Sequence, residues 1–296
     1  MVQFVLLASY AMYWILLLAF LFPWHPHATA QFLEPDCGYM SLEALQNEEH
    51  QAHISESPWM AYLHKSGDIV CGGTLINHRF VLTAAHCIRE DENLTVRLGE
   101  FNSLTSIDCN GSDCLPPSED FEIDLAFRHG GYSRTNKIHD IGLLRLAKSV
   151  EYKVHIKPIC LITNTTLQPK IERLHRLVAT GWGRSPSETA NHILKSIRVI
   201  RVNWNVCSDT YWVDRRRDQI CVSHESGVSC SGDSGGPMGH AIRLNGRVVF
   251  VQVGIVSYGN AECLSPSVFT NVMEHIDWIM AALSTSHHSR QKIKVK

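Results

Sequence analysis

Thr83-Ala84-Ala85-His86-Cys87, Asp140-Ile141-Gly142-Leu143-Leu144 and Gly232-Asp233-Ser234-Gly235-Gly236-Pro237 stand in this order along a chain of 296 residues. Together they supply an imidazole, a carboxylate and a hydroxyl. A serine hydroxyl is a poor nucleophile at neutral pH. Acyl transfer onto it needs an imidazole to take its proton and a carboxylate to fix that imidazole's tautomer. His86, Asp140 and Ser234 are the candidates for these roles. Each string alone reads more plainly. Most of 17 histidines are surface or packing residues, an Asp ahead of an apolar run can simply open a strand, and Gly-Asp-Ser-Gly-Gly-Pro can be only a tight turn. The joint occurrence of all three in one cysteine-rich chain carries the reading.

Outward from these strings, the body consists of brief runs rich in branched residues, separated by Gly, Pro, Asn and Ser clusters. Arg79–Leu82, Leu94–Leu98, Arg247–Val256 and Ser267–Val272 are examples. Short strands at this rhythm predict an all-β barrel or sandwich. One helix is predicted, from Met273 to Leu283, with Ile276, Ile279, Met280 and Leu283 on one face.

The composition, 45% hydrophobic and 19% charged, is that of an ordinary folded globule. A net charge of −2 gives no electrostatic reason to expect a nucleic-acid partner. The apolar stretch Phe4–Phe22 followed by Ala28-Thr29-Ala30 reads as a secretory signal ending at residue 30. No Lys or Arg precedes it and it is long enough to span a bilayer, so an uncleaved anchor is the alternative. Ten cysteines, an even number, suit the oxidising secretory pathway and an extracellular protein. In that pathway Asn93, Asn110 and Asn164, each in an Asn-x-Ser/Thr triplet, are glycosylation acceptors. The cysteine spacings do not form close Cys-x-x-Cys pairs, so neither a zinc site nor any other metal or cofactor is expected. The basic end from Arg290 to Lys296 reads as a solvated tail.

The three strings, with Cys71-Gly72-Gly73-Thr74-Leu75-Ile76, Thr180-Gly181-Trp182-Gly183 and Val256-Ser257-Tyr258-Gly259, make the chain resemble the chymotrypsin-like, trypsin-fold serine proteases. The resemblance runs from about Ser57 to Trp278. The segment around Cys37 and the Cys109–Cys114 loop look most like arthropod trypsin-like proteases related to clip-domain enzymes. The few residues between the signal and Cys37 leave no room for a clip domain. The resemblance sharpens the fold to two six-stranded antiparallel β-barrels with a C-terminal α-helix, and the organisation to a signal (1–30), a short N-terminal segment (31–45), a protease domain (46–284) and a tail (285–296). It implies disulfides Cys71 with Cys87, Cys207 with Cys221, Cys230 with Cys263, Cys37 with Cys160 and Cys109 with Cys114.

For the chemistry, the resemblance implies an oxyanion hole made by the amides of Gly232 and Ser234. It also implies a substrate-pairing strand at Ser257, Tyr258 and Gly259, with Ser257 supporting Asp140. The pocket for the residue before the cut bond would hold Val228 and Ser229 at its base, where trypsin-like enzymes carry an Asp, and Ser267 on its wall, where Gly is usual. An Arg or Lys entering that pocket would lack a counter-ion. Family zymogens are cut after a basic residue, and the new Ile or Val amino terminus pairs with the Asp matching Asp233. Here the expected junction falls on Leu45-Gln46, and no Lys or Arg occurs between Gln31 and Lys65. Glu100 and Asn102 match the start of a calcium loop in some relatives, but one carboxylate and an amide are too few, and a solvated loop is expected. The sequence therefore supports a secreted serine endopeptidase acting on proteins or peptides. The other reading is a zymogen-locked or weakly active protease-like protein that binds inhibitors or other proteases of a cascade.

Overall fold

The structure, a computed structural model, describes residues 32–40, 54–89, 93–183, 191–224, 233–244, 246–260 and 266–286. Two closed barrels account for almost all of its strands. The first is built from β1 (Met60–Lys65), β2 (Asp68–Asn77), β3 (Phe80–Thr83), β4 (Thr95–Leu98), β7 (Glu119–Arg128) and β8 (Gly142–Leu146), in the order β1-β2-β3-β8-β7-β4. A two-stranded ribbon, β5 (Cys109–Asn110) with β6 (Asp113–Cys114), projects between β4 and β7. The second barrel comprises β9 (Arg176–Gly181), β10 (Lys195–Arg201), β11 (Gln219–His224), β12 (Pro237–Leu244), β13 (Arg247–Gly259) and β14 (Ser267–Asn271), ordered β10-β11-β14-β13-β12-β9. All ladders in both barrels are antiparallel.

Sequence pattern and burial agree strand by strand. In β4, Val96 and Leu98 point inward while Thr95 and Arg97 are half-exposed, the period of two expected of a strand with one buried face. β14 is buried along its whole length: β11 and β13 flank it, and Thr270 meets the Asp140 loop of the first barrel. One continuous core runs through both barrels. Where they meet, Trp59 stacks on Phe250 at 5.1 Å, and the buried Thr74 Oγ1 donates to Gln252 Oε1 at 2.8 Å.

Helices are few. The predicted C-terminal helix begins as a 3₁₀ turn at Met273–His275 and continues as α3 (Ile276–Ser286). Ile276, Ile279, Ala282 and Leu283 are buried, whereas Met280 is 41% exposed, which corrects its assignment to the buried face. At about 100° per residue, the four buried positions centre on an axis that Met280 misses by roughly a right angle. Two further helices, α1 (Gln168–Glu172) and α2 (Trp204–Tyr211), escape the sequence reading. Both are short and carry no apolar stripe of several turns. The available signal for α2 is Asn203, whose side chain accepts the Asn205 N–H as an N-cap.

Four disulfides join Cys37 to Cys160, Cys71 to Cys87, Cys109 to Cys114 and Cys207 to Cys221. They are four of the five implied pairs; Cys230 and Cys263 lie outside the described residues, as do the signal stretch, Leu45, Gln46 and the basic tail. Among the described residues no helix is long and apolar enough to cross a membrane. Asn93 is exposed ahead of β4, Asn110 sits in the ribbon, and Asn164 caps a short 3₁₀ turn by accepting the Thr166 N–H.

The Cys37 bridge fastens the N-terminal segment to the second barrel. Gly38 donates to Pro158 O at 2.8 Å and accepts from Phe250 N at 2.9 Å. Its φ is +64°, and an added Cβ would lie 2.5 Å from Phe250 O and 2.7 Å from Cys160 Sγ. Gly67 also has positive φ, +97°, but nothing lies within 4 Å of its Cβ position. Both positions carry the left-handed penalty of about 1–2 kcal/mol for Ala; only Gly38 adds a backbone collision. Thermal denaturation of the disulfide-intact protein should therefore show a clearly larger fall in midpoint for Gly38→Ala than for Gly67→Ala, and equal falls would contradict the close docking of Gly38 on Phe250.

Candidate active site

β3 ends at Thr83, and the chain turns through a single 3₁₀ turn, Ala85–Cys87, that carries His86. The Cys71–Cys87 bridge ties this turn back to β2. Asp140 lies two residues before β8, which is the neighbour of β3 in the barrel, so the ladder itself delivers the carboxylate to the imidazole. His86 Nδ1 and Asp140 Oδ2 are 2.7 Å apart, and the His86 backbone N–H donates to Asp140 Oδ1 at 2.9 Å. The Asp140 side chain is fully buried, while that of His86 is 19% exposed. This geometry puts the imidazole proton on Nδ1 and leaves Nε2 as the acceptor.

The second barrel completes the carboxylate's surroundings. Ser257 Oγ donates to Asp140 Oδ2 at 2.6 Å, and Thr270 Oγ1 donates to the Asp140 backbone carbonyl at 2.9 Å. Ser257 reaches it because of a bulge: Val256 pairs with Phe269 and Tyr258 with Val268, so Ser257 is skipped by the ladder. A bulge re-aims a side chain that regular pairing would turn elsewhere. His139, just before Asp140, takes φ +51° and donates its N–H to Asp218 Oδ2 at 2.7 Å, a further link to the second barrel next to β11.

Ser234 sits half-buried in the turn leading into β12. Its carbonyl accepts the Gly72 N–H at 2.7 Å, so the turn docks on β2 beside the Cys71–Cys87 bridge that holds His86. Gly235 follows at φ +83°, where a Cβ would lie 2.2 Å from Thr83 Oγ1 and 2.4 Å from Gly72 O. Only glycine lets the two barrels close on each other here. His86 and Asp140 are thus joined side chain to side chain, and Ser234 is anchored to the same corner through its backbone.

Asp233 points away from this corner. It is 9% exposed, and its Oδ1 accepts the Gly183 N–H at 2.7 Å. A Cβ at Gly181 would lie 2.0 Å from that carboxylate, and one at Gly183 would lie 2.1 Å from it. The two glycines of Thr180-Gly181-Trp182-Gly183 therefore make room for the Asp233 side chain. Trp182, between them, donates its ring N–H to Phe101 O at 3.1 Å and packs edge-on to Tyr62, which joins the second barrel to the first.

Of the residues assigned to substrate binding, Ser257, Tyr258 and Gly259 end β13, and Ser267 opens β14 opposite Gly259. Ser267 Oγ lies 3.2 Å from His224 Nε2, so its hydroxyl is engaged by a ring on β11. Burial pushes the Tyr258 phenol up to about 12, helped by Tyr211 and Asp218. Val228, Ser229 and Gly232 lie outside the described residues. In the segment compared with a calcium loop, Glu100 Oε2 lies 3.4 Å from Arg97 Nη1, and Asp108 Oδ2 accepts the N–H groups of Phe101 and Asn102. Burial and Asp108 raise the Glu100 carboxyl above its ordinary range.

The parts played by Gly72, Thr83, Thr270 and Gly183 are not readable from sequence. Each acts through a backbone group or a cross-barrel contact; Gly72, Thr83 and Gly183 stand in strings that carry the resemblance, but no string names the partner.

Comparison with known proteins agrees with this architecture. The family model described as Trypsin matches residues 46–279. Serine protease grass of Drosophila melanogaster is 33% identical over 267 residues, covering 85% of this chain and 71% of that protein. CLIP domain-containing serine protease HP8 of Bombyx mori is 36% identical over 253 residues, covering 79% and 68%. The crystal structure of the Drosophila Grass clip serine protease of the Toll pathway superposes with a TM-score of 0.75 at 33% identity, covering 85% of this chain and 75% of that one. Two closed six-stranded barrels, a buried Asp140 bonded to His86 at their junction and these matches together place the chain in the trypsin family of serine proteases, as a homologue of insect CLIP-domain serine proteases.

Proposed function

We propose that this protein is a secreted serine endopeptidase that hydrolyses peptide bonds of protein substrates through an acyl-enzyme on Ser234. The observation that carries the reading is the fully buried Asp140 carboxylate, which takes the His86 Nδ1–H at 2.7 Å and the Ser257 hydroxyl at 2.6 Å. So oriented, His86 Nε2 removes the Ser234 hydroxyl proton as Oγ bonds to the substrate carbonyl carbon. It then returns that proton to the leaving amine as the peptide bond breaks. Water attacks the acyl-enzyme with the same assistance. The amides of Gly232 and Ser234 receive the oxyanion, whose charge exists only in the transition state; such a donor contributes about 2.7–4 kcal/mol. The even cysteine count and the Phe4–Phe22 stretch support export. The name of one relative, Phenoloxidase-activating enzyme 1, supports a protein substrate; a protease cascade, with inhibitors and other proteases as partners, is part of the same proposal.

A second reading, a zymogen-locked or weakly active member, has its own support. No Lys or Arg lies between Gln31 and Lys65, and the expected junction Leu45-Gln46 offers no branched amino terminus to Asp233. A serine-directed phosphonate probe distinguishes the readings. The enzyme reading predicts labelling of Ser234 in the form isolated from its source, abolished in Ser234→Ala. Persistent lack of labelling, reversed when residues 45–49 are replaced by Arg-Ile-Val-Gly-Gly and the chain is cut, supports the locked reading.

In the labelled form, Asp140→Asn should lower kcat by about 10⁴-fold, because the amide selects the wrong imidazole tautomer. Ser257→Ala should leave the fold intact and lower kcat far less, since one of the carboxylate's partners is lost while the His86 bond remains. Comparable losses in the two variants would argue against this division of roles between Asp140 and Ser257.

Peptide-library profiling should show a loose preference for uncharged residues before the cut bond. A methylene in such a pocket discriminates by only about 1–3 kcal/mol. A dominant Arg or Lys preference would reject Val228 as the base of the pocket.

A further inference from the structure

Three histidines that the catalytic reading does not use converge immediately behind Asp140. His129 follows β7, His139 precedes Asp140, and His275 ends the 3₁₀ turn ahead of α3. One ring nitrogen from each lies within 4.8 Å of the other two. His139 Nδ1 and His275 Nε2 are 3.1 Å apart. The His129 and His139 rings stack at 4.4 Å, and both meet the His275 ring nearly at right angles, at 5.5 and 5.3 Å. Two Zn–N bonds of about 2.1 Å at a tetrahedral angle hold their nitrogens about 3.4 Å apart. The His139–His275 pair, now hydrogen-bonded ring to ring, has nearly that spacing, and the stacked His129 ring must turn as well as shift to aim its lone pair at a shared ion.

The surroundings are those of a ligand set. His275 Nδ1 donates to the Asn271 carbonyl at 2.7 Å, which fixes its tautomer and turns the Nε2 lone pair toward His139. Metal-bound imidazoles almost always donate their second N–H in this way. Asp218 Oδ2, anchored by the His139 N–H, lies 3.7 Å from His139 Nδ1 and supplies negative charge beside the cluster. His129 Nδ1 accepts the Gly131 N–H at 3.1 Å in an exposed bond. The His139 side chain is 39% exposed, which opens a path from solvent. Cys71, Cys87 and His86 also lie close together, but the two sulfurs are bonded to each other and offer no thiolate.

We propose that His129, His139 and His275 form a zinc site, with a fourth position open to water, that ties the loop carrying Asp140 to the C-terminal helical segment. Three imidazoles favour zinc over calcium or magnesium, which select oxygen ligands. Bound there, zinc stabilises the packing of the Asp140 loop against the C-terminal helical segment. The site is independent of whether the chain hydrolyses peptides.

The test uses the full disulfide-bonded chain, stripped with a chelator and titrated with Zn²⁺ by calorimetry, with Co²⁺ as a spectroscopic substitute. The expected result is one saturable ion per chain, a tetrahedral Co²⁺ absorption band and a raised thermal midpoint with zinc. His139→Asn, chosen because Asn tolerates positive φ, and His129→Gln should each weaken binding by at least about tenfold, with unchanged circular dichroism. His275→Gln also removes the Asn271 hydrogen bond and so reads folding as well as binding; the first two variants decide. Absence of saturable binding, affinity unmoved in both variants, or zinc lost with His86→Gln in their place would overturn the proposal.

Discussion

The carboxylate of Asp140 is the constraint around which the two barrels assemble. Removing an ionised carboxylate from water costs several kcal/mol unless its lone pairs are satisfied. No single barrel satisfies this one. The first barrel contributes both donors of His86, through a β3–β8 ladder that brings the two strands' ends together. The second contributes the Ser257 hydroxyl from a bulge in β13, while Thr270 of β14 secures the Asp140 backbone. The same carboxylate that orients the imidazole thus takes a hydrogen bond from each barrel, so barrel docking and the proposed catalytic geometry meet at one residue.

Around it, glycine permits close approach where a side chain would intervene. Gly235 lets the Ser234 turn settle against Thr83 and Gly72, and Gly181 with Gly183 leaves space for Asp233. These contacts give a physical meaning to motifs that otherwise read as turn punctuation. They also connect the two halves of the functional question. Asp233 is held by a backbone amide on one side of Ser234, and the Gly72 amide holds Ser234 on the other. A change in the partner of Asp233 thus has a short route to the turn that carries Ser234.

Much of this is legible in the chain. The short branched runs mark the barrels, and three separated strings point to His86, Asp140 and Ser234 without any geometry. Strand periodicity and helix spacing are local signals, so they survive in sequence; Met280 departs only because its apolar side chain lies at the margin of the helical face. What escapes belongs to tertiary register. Family resemblance pairs Ser257 with Asp140, whereas the bulge that aims it is a property of β13 paired with β14. The Gly72 and Gly183 amides carry no side-chain signature at all. His129, His139 and His275 are far apart in sequence and lack ligand-like spacing, so only the folded chain unites them.

The central claim, that a buried Asp140 holds the proton on His86 Nδ1, is tested most directly by proton NMR of the folded protein in water. An exchange-protected resonance from the His86 Nδ1–H is expected well downfield of the amide region. It should disappear in Asp140→Asn and in His86→Ala while the rest of the amide spectrum is retained. A folded wild-type protein lacking that resonance, or one that keeps it in Asp140→Asn, would contradict the account.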